Sequence, residues 1–565
     1  MRPIWIVMIV IVLSAGNGRA QTLTSKVVIS PLDGVPADAP QRLAVAYAGT
    51  IGFTTVMDPG DFSWRLFSFS TSTGQIADRV DLTADFGKGL NGGNLLIALV
   101  ADDTTGLVAA VGRDAGAIQK VVMFASDPAG HLSRRWALVL SAAIGPEIFP
   151  SVAFNDDGTR LYVDYVVAQP WMSKTSAGRP KPERLTQNQV HVHRSGGSSV
   201  FDLVGLPSAD DSQGAVDHLA LLRTSDGSLS EEAQVGGGRF LRGMMFDKPN
   251  NRLIMTVDAT LYLVPGDPDH LTLATKIGPV GDRQDPLGPS SLIGLQDGRF
   301  LISYGGFIAD DSGNVEGSAN FFFSTDLEGG TTTALAVNGL ALPSSDSVTM
   351  DSPARTVLVP YSFKAQISKG SVTVTSKGSH LVDLISIKED GSLERRGSAN
   401  LPKTPAQANL ITLFNNVVIS ASGAMAFVST ASGNMFTLDT QTGEVVNRIS
   451  LDPQFLTYLV LIQQTDKIVF NNGNSLMIMD APDRPLVSGM TVKAGRSVIR
   501  GANFLQGVRV TVNGVDVVGA DRSATDPGGE LIIPKGKRDF PPGQQFNVVI
   551  INRDGSVSDD FVLVR

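Results

Sequence analysis

Cysteine is absent from the 565-residue chain. That excludes disulfides, thiolate metal sites and cysteine nucleophiles at once, together with the lipid-accepting cysteine of bacterial lipoproteins. Histidine is nearly as scarce, with His131, His191, His193, His218, His270 and His380 the whole supply. A catalytic zinc site draws on several converging ligands, usually histidines. These six fall in different segments, mainly where turns or loops are expected. Only His191 and His193 are close. In a strand, positions i and i+2 share a face and both rings could reach one metal, but no third ligand stands nearby. No metal site, no cofactor and no catalytic residue is therefore assigned. Other chemistries are missing too: no Gly-x-Ser-x-Gly elbow opens a helix, and no phosphate-cradling loop precedes one. Acidic pairs at Asp102-Asp103, Asp156-Asp157 and Asp210-Asp211 read as turn residues.

Positive charge is short. Lys and Arg number 46 against 55 Asp and Glu, a formal net charge of −9. There is no long basic run, so a phosphate-tracking role is excluded and nucleic acid is not an expected partner. Beyond the leader, tryptophan is limited to Trp64, Trp136 and Trp171, which disfavours aromatic platforms for sugars. Long apolar runs are limited to one, Ile4–Leu13, behind Arg2 and ahead of Gly18-Arg19-Ala20. This layout predicts a secretory signal over residues 1–20, cleaved before Gln21, and a secreted or periplasmic location. The run is too short to span a bilayer comfortably, and no membrane span is expected after cleavage.

Glycine is plentiful, at 59 residues, and hydrophobic residues reach 42%. Short β-branched runs between turn signals point to an all-β chain with large cores. An internal repeat sharpens this. Leu66–Leu82, LFSFSTSTGQIADRVDL, aligns without a gap on Met435–Leu451, MFTLDTQTGEVVNRISL. Each copy is an alternating strand, a polar turn closed by Gly, and a second strand. Weaker copies lie at Val121–Leu138, Leu219–Val235, Thr260–Ile277, Asn320–Val337 and Leu384–Leu401. A second kind of hairpin precedes several of them, most clearly VAFNDDGTRLYV at Val152–Val163, with relatives at Met245–Val257, Ile293–Tyr304 and Val417–Ser429. Two hairpins per unit make a four-stranded sheet, and many in series predict a β-propeller of seven or eight four-stranded blades, the count favouring eight. Tyr458–Asp480 supplies three strands of a last unit, and Lys26–Ser30 is expected to lend the fourth and close the ring.

FNDDGTRLYV, and LDTQTGEVV beside ISASGAMAFV, resemble the YVTN/WD40-like propeller repeats of exported bacterial and archaeal proteins, over roughly residues 24–484 and without the Trp-Asp dipeptide. After the linker Ala481-Pro482-Asp483-Arg484-Pro485 the style changes. VIRGANF, then GVRVTVNG with its Asn513-Gly514 turn, resembles an IPT/TIG module, which implies a small immunoglobulin-like β-sandwich. The expected domains are thus signal 1–20, propeller 21–484 and IPT/TIG-like module 485–565.

Two loops stand out. Asp310-Asp311-Ser312-Gly313-Asn314-Val315-Glu316 spaces oxygen side chains as calcium likes, though its Gly is misplaced for a helical calcium loop; a solvated connection is expected. Trp171–Asn188, with Lys174, Arg179, Lys181 and Arg184, interrupts the third unit and should project from one face, as binding loops do. The leading expectation is a non-enzymatic binding or scaffold protein with an extracellular protein or surface ligand as partner. A lactonase-like hydrolase or lyase working at the central channel, and a structural or adhesive surface protein, are the alternatives.

Overall fold

The computed structural model describes residues 26–29, 42–58, 63–88, 98–113, 118–142, 151–168, 190–195, 198–203, 215–236, 241–257, 260–266, 270–271, 275–277, 286–294, 300–309, 315–325, 333–338, 349–351, 356–360, 364–368, 371–375, 381–390, 392–401, 417–420, 422–430, 434–450, 456–462, 467–472, 475–481 and 483–565. They are almost entirely strands and tight turns. The described helical structure is one turn at Thr83–Phe86 and a 3-10 turn at Lys248–Asn250. The chain divides into two compact units, one covering Leu23–Asp483 and the other containing Arg484–Arg565.

Within the larger unit, eight four-stranded antiparallel sheets follow one another among the described residues. The first runs Arg42–Ala46, Ile51–Met57, Trp64–Ser70, Ile76–Asp81, and the second Ala98–Ala101, Leu107–Arg113, Ile118–Ser126, Leu132–Ala142. The third is Val152–Phe154, Arg160–Ala168, Ala215–Arg223, Leu229–Gly236, and the fourth Leu241–Asp247, Arg252–Val257, Thr260–Pro265, Thr275–Ile277. The fifth is Pro286–Gly294, Phe300–Ala309, Val315–Thr325, Thr333–Asn338, and the sixth Thr349–Asp351, Thr356–Pro360, Leu381–Ile387, Leu393–Asn400. The seventh is Val417–Ile419, Met425–Thr430, Asn434–Asp439, Val445–Ser450. The eighth takes Leu456–Ile462, Lys467–Asn472 and Ser475–Asp480 from the end of the unit and Lys26–Ile29 from its start, with Lys26 opposite Met479 and Ile29 opposite Leu476.

First strands of successive sheets lie side by side from the first to the fifth, and from the sixth through the eighth back to the first; the fifth and sixth meet through their last strands. Cores fill the spaces between neighbours. Phe53, Trp64 and Leu66 of the first sheet pack on Val108, Val122 and Phe124 of the second. Val469 and Ile478 of the eighth pack on Phe69 of the first and close the circle. Where burial is described, as in Ile51–Met57, Trp64–Ser70 and Asn434–Asp439, the inner strands are buried on both faces and read as apolar runs rather than strict alternation. This is a β-propeller. Losing one ring such as Phe124, fully buried between two sheets, would cost about 3–5 kcal/mol.

The repeat seen in the sequence forms the third and fourth strands of the first and seventh sheets, and its invariant points have a physical reason. Gly74 and Gly443 both have positive φ, 73° and 72°, where a side chain is disfavoured. Thr71 and Thr440 each donate a hydroxyl hydrogen bond to the glycine carbonyl of the preceding hairpin turn, Gly49 at 2.5 Å and Gly423 at 2.6 Å. Thr224 does the same to Gly158 in the third sheet, at 2.8 Å. Each threonine ties the two hairpins of its own sheet together.

A ninth four-stranded sheet in this unit is not one of the series. Val190–Ser195 and Ser198–Leu203 come from the connection between strands two and three of the third sheet. Lys364–Ser368 and Ser371–Thr375 come from the same connection of the sixth. The two hairpins pair, Phe201 opposite Val372, in the order Val190–Ser195, Ser198–Leu203, Ser371–Thr375, Lys364–Ser368. Lys364–Ser368 also lies against Val315–Thr325 of the fifth sheet.

The smaller unit holds two sheets. One has the order Leu486–Val492, Ser497–Ala502, Glu530–Ile533, Asp521–Arg522; the other Val515–Asp516, Arg509–Val512, Gln545–Ile551, Phe561–Val564. Ile499, Leu531 and Ile533 pack with Val510, Val548 and Ile550 in one core. Phe540 and Phe546 meet edge to face within it, 5.0 Å apart.

Candidate functional site

A propeller presents three places for function: the axis, and the two ends where the connections gather. The axis is bounded by the eight first strands. Arg42, Arg242, Asp247 and Asp351 are the only charged residues in those strands, and none contains a histidine. The remaining polar side chains of these strands are Ser290 and Ser291 in the fifth, Thr349 in the sixth, and Thr457 and Tyr458 in the eighth; the other residues are apolar or glycine. Acid–base or metal chemistry at the axis would need several polar groups converging from different strands.

In the first seven sheets the connections from strand one to two and from three to four leave at one end, and the connection from two to three leaves at the other; the eighth, whose fourth strand is Lys26–Ile29, has only the first and last of these. The first end is made of short turns that satisfy their own polar groups. Asp102 accepts from the amide and hydroxyl of Thr105, at 2.7 and 2.5 Å. Asp157 accepts from Thr159, whose hydroxyl at 2.6 Å holds the carboxyl below its ordinary pKa. Asp226 is lowered in the same way, chiefly by the Ser228 amide. Asp103 reaches the neighbouring sheet and accepts from the Ala48 amide at 2.7 Å, and Asp156 lies 3.6 Å from Lys248. The acidic pairs at 102–103 and 156–157 are turn residues, consistent with their sequence context; Asp210 and Asp211 lie outside the described residues. Tyr47 and Ala48 both adopt positive φ here, and the phenol of Tyr47 crosses to the Ser126 carbonyl at 2.5 Å, which locks the first turn onto the second sheet.

The opposite end bears the two long connections, 169–214 and 361–380. Of the residues singled out in the sequence, Trp171–Asn188 and His380 fall in these connections but outside the described residues, as do Asp310–Asn314 of the fifth-sheet loop. His191 and His193 lie on Val190–Ser195, an edge strand of the ninth sheet, with His191 opposite Asp202 and His193 opposite Val200. Among the described residues no group of three His, Asp or Glu side chains is placed to hold a metal.

Histidine placement needs one correction. His131 is in a turn, with Nδ1 2.9 Å from Asp127, a contact that raises the imidazole pKa and lowers that of the carboxyl. His270 also lies near a turn, 3.7 Å from Glu231. His218 instead sits in a third strand, Ala215–Arg223, opposite Tyr165. Its Nδ1 faces the Glu232 carboxylate at ion-pair range, and its ring lies 5.5 Å from that of Tyr165. The Tyr165 phenol is buried and bonded to the same carboxylate; burial first, and Glu232 second, push its pKa well above the ordinary tyrosine value. Tyr165 packs among residues of the second and third sheets, so this polar trio ties that seam where Ala168 and Ala215 lead into and out of the 169–214 connection. No local motif could have found it, because the connection separates Tyr165 from its two partners in sequence. Trp64 is fully buried and Trp136 spends its indole N–H on the Thr224 carbonyl at 2.9 Å, so both are packing residues.

Among the described residues no helix is long and apolar enough to cross a membrane. No protein-family model matches the chain, and neither does any curated protein. Among solved structures it is similar to Sqt1 of Saccharomyces cerevisiae, with 10% identity and a TM-score of 0.45 over 80% of this chain and 98% of that one. It is also similar to the Dos1 propeller, with 9% identity and a TM-score of 0.47 over 79% of this chain and 93% of that one.

Proposed function

We propose that this is a secreted or periplasmic, non-enzymatic binding or scaffold protein: an eight-bladed propeller of YVTN/WD40-like blades followed by an IPT/TIG-like, immunoglobulin-like module. Its protein partner is engaged at the end of the ring that carries the strand two-to-three connections. The observation that carries this reading is the ninth sheet. Two insertions from blades far apart in sequence leave at equivalent connections and pair with each other, Ser199 opposite Val374 and Phe201 opposite Val372. A solvated loop has no need of such a partner, whereas a binding surface does: loops become recognition elements when a rigid scaffold positions them. Charge supports the same end. Residues 169–214 and 361–380 hold eight Lys or Arg and four Asp or Glu, in a chain with 46 and 55 overall. The scarcity of histidine, with none in the described first strands, supports a structural axis over a metal-dependent catalytic one.

The test is to replace 169–214 and 361–380 together by short Gly-containing turns. The shortened protein should keep its circular dichroism and thermal transition, yet lose covalent capture of partners from the extracytoplasmic fraction that the full chain achieves. Undiminished capture would move the binding surface elsewhere. A stoichiometric transition metal, or lactone hydrolysis abolished by substitutions in the first strands, would replace this reading with the enzyme.

A further inference from the structure

The sheets of the smaller unit set its connections at two ends. Leu486 opposite Ala502 marks the end where the chain enters, and Ser497, opposite both Val492 and Ile533, marks the other. That far end gathers cations. Lys493 and Arg496 occupy the connection after Leu486–Val492, and Lys535, Lys537 and Arg538 the one after Glu530–Ile533. Four are exposed and Lys535 is half-buried. Backbone contacts hold the two connections together. The Lys537 amide donates to the Lys493 carbonyl at 2.9 Å, and the Ser497 hydroxyl to the Lys535 carbonyl at 2.6 Å. Gly536 is buried between them, where a Cβ would collide with the Ala494 carbonyl. Among the described residues, none of the five cationic side chains forms an ion pair. The neighbouring acids are engaged: Asp539 accepts from the Gly536 amide at 2.8 Å, and Asp516 lies 3.6 Å from Arg509. Asp554, Asp559 and Asp560 lie toward the chain-entry end, so the module is electrically polarised. Like charges held close without counter-charge repel, a cost that an anionic partner offsets. Apolar surface borders the cations. A Cβ on Gly519 would lie 3.3 Å from Pro534, which sets Val518-Gly519 beside the second basic connection. Val518 is 90% exposed, the highest of any large hydrophobic among the described residues, and Val515 is 66% exposed.

We propose that this end of the module is a membrane-contact surface, which seats on an anionic lipid bilayer. Lys493, Arg496, Lys535, Lys537 and Arg538 meet the headgroup phosphates, and Val518 and Val515 enter the interface beside them. Two observations select a bilayer among anionic partners. The first is the pairing of cations with exposed valines: a small apolar insertion or a polybasic patch is a weak anchor alone, and the two together hold a protein at a lipid surface. The second is the lack of a stacking platform. Single-stranded nucleic acids and sugars are bound on exposed aromatic rings. Residues 485–565 contain no Trp or Tyr, and Phe504, Phe540 and Phe546 are buried. The polarity of the module turns its acids away from the surface that its cations approach. Residues 485–565 hold ten Lys or Arg and eight Asp or Glu, in a chain with 46 and 55 overall, and half of those ten cations stand at this one end. The contact is electrostatic in the main, and so reversible and weakened by salt. It does not rest on the partner reading given above.

The test is co-sedimentation of the full chain with vesicles of equal parts phosphatidylglycerol and phosphatidylcholine. Binding should exceed that to pure phosphatidylcholine and fall as salt rises. Lys537→Glu with Arg538→Glu should weaken it by more than about tenfold, given the worth of each cation near an anionic surface. Lys537→Arg with Arg538→Lys should leave it unchanged. Both positions are exposed, and unchanged circular dichroism checks that each variant folds. The absence of cysteine allows a second readout, because a single introduced thiol is unique. A polarity-sensitive fluorophore on Val518→Cys should shift its emission to the blue on the anionic vesicles. The same label on Gln506→Cys, exposed at the chain-entry end, should not shift. Equal binding to pure phosphatidylcholine, indifference to the charge reversals, or vesicle binding without the blue shift at 518 would overturn the proposal. So would capture by soluble polyglutamate in preference to vesicles, which would assign the cations to an acidic polymer.

Discussion

At the scale of single residues, the turns explain why certain letters recur. Asp, Thr and Gly repeat because a tight turn needs a carboxylate to cap amides, a hydroxyl to reach the adjacent turn and a residue tolerant of positive φ. The Thr440 hydroxyl on Gly423 is one such bond, and a buried neutral hydrogen bond of this kind contributes about 1 kcal/mol. His131 offers a test in solution. Its bond with Asp127 favours the imidazolium, so the folded pKa lies above the unfolded one. Any stability from this pair is complete below the ordinary histidine pKa and fades as pH rises through the folded value. Both groups are exposed, so the effect is screened and modest. In an NMR titration the His131 midpoint should lie above that of an unstructured histidine and fall back to it in Asp127→Asn. An unmoved midpoint in that variant would show that the contact does not form.

At the scale of elements, ring closure is the sharpest feature. Ser475–Asp480 buries Leu476 through Met479, and its outer edge is covered by Lys26–Ile29, whose sequence lies at the opposite end of the unit. Deleting residues 26–29 should expose that edge, lower the thermal midpoint and promote self-association through the bare strand. A synthetic peptide spanning residues 24–31 should raise the midpoint of the deleted protein as its concentration increases, by mass action on the folded state. A deletion without thermal effect would show that the eighth sheet does not depend on its borrowed strand.

For the whole molecule, the division between Asp483 and Arg484 follows where the cores separate. Residues of the smaller unit share one core, with Phe504, Phe540 and Phe546 at its centre. That core supports a further expectation: a fragment of residues 485–565 should fold alone and give a dispersed, β-rich NMR spectrum, though it is near the size where a core without disulfides becomes marginal. An undispersed spectrum from the fragment, beside a folded full chain, would make the module dependent on the propeller.

The all-β class, the hairpins and the loan of Lys26–Ile29 were legible in the sequence alone. Each rests on local physics: period-two alternation, the turn signals Asp-Gly and Thr-x-Thr-Gly, and the simple shortage of a fourth strand after Asp480. Tertiary structure alone decided what depends on residues distant in the chain. It joined His218 and Glu232 to Tyr165 across the third-unit insertion, and it paired Ser198–Leu203 with Ser371–Thr375 into a ninth sheet that no periodicity announces. It also decided which edge strand is left bare. Val562 and Val564 alternate with Phe561 and Leu563 like any half-buried strand, and only the order of strands in the folded sheet shows that no described strand pairs beyond them. Local sequence specifies how a segment hydrogen-bonds within itself and its turn, whereas the partner on its far side is chosen by packing of the whole chain.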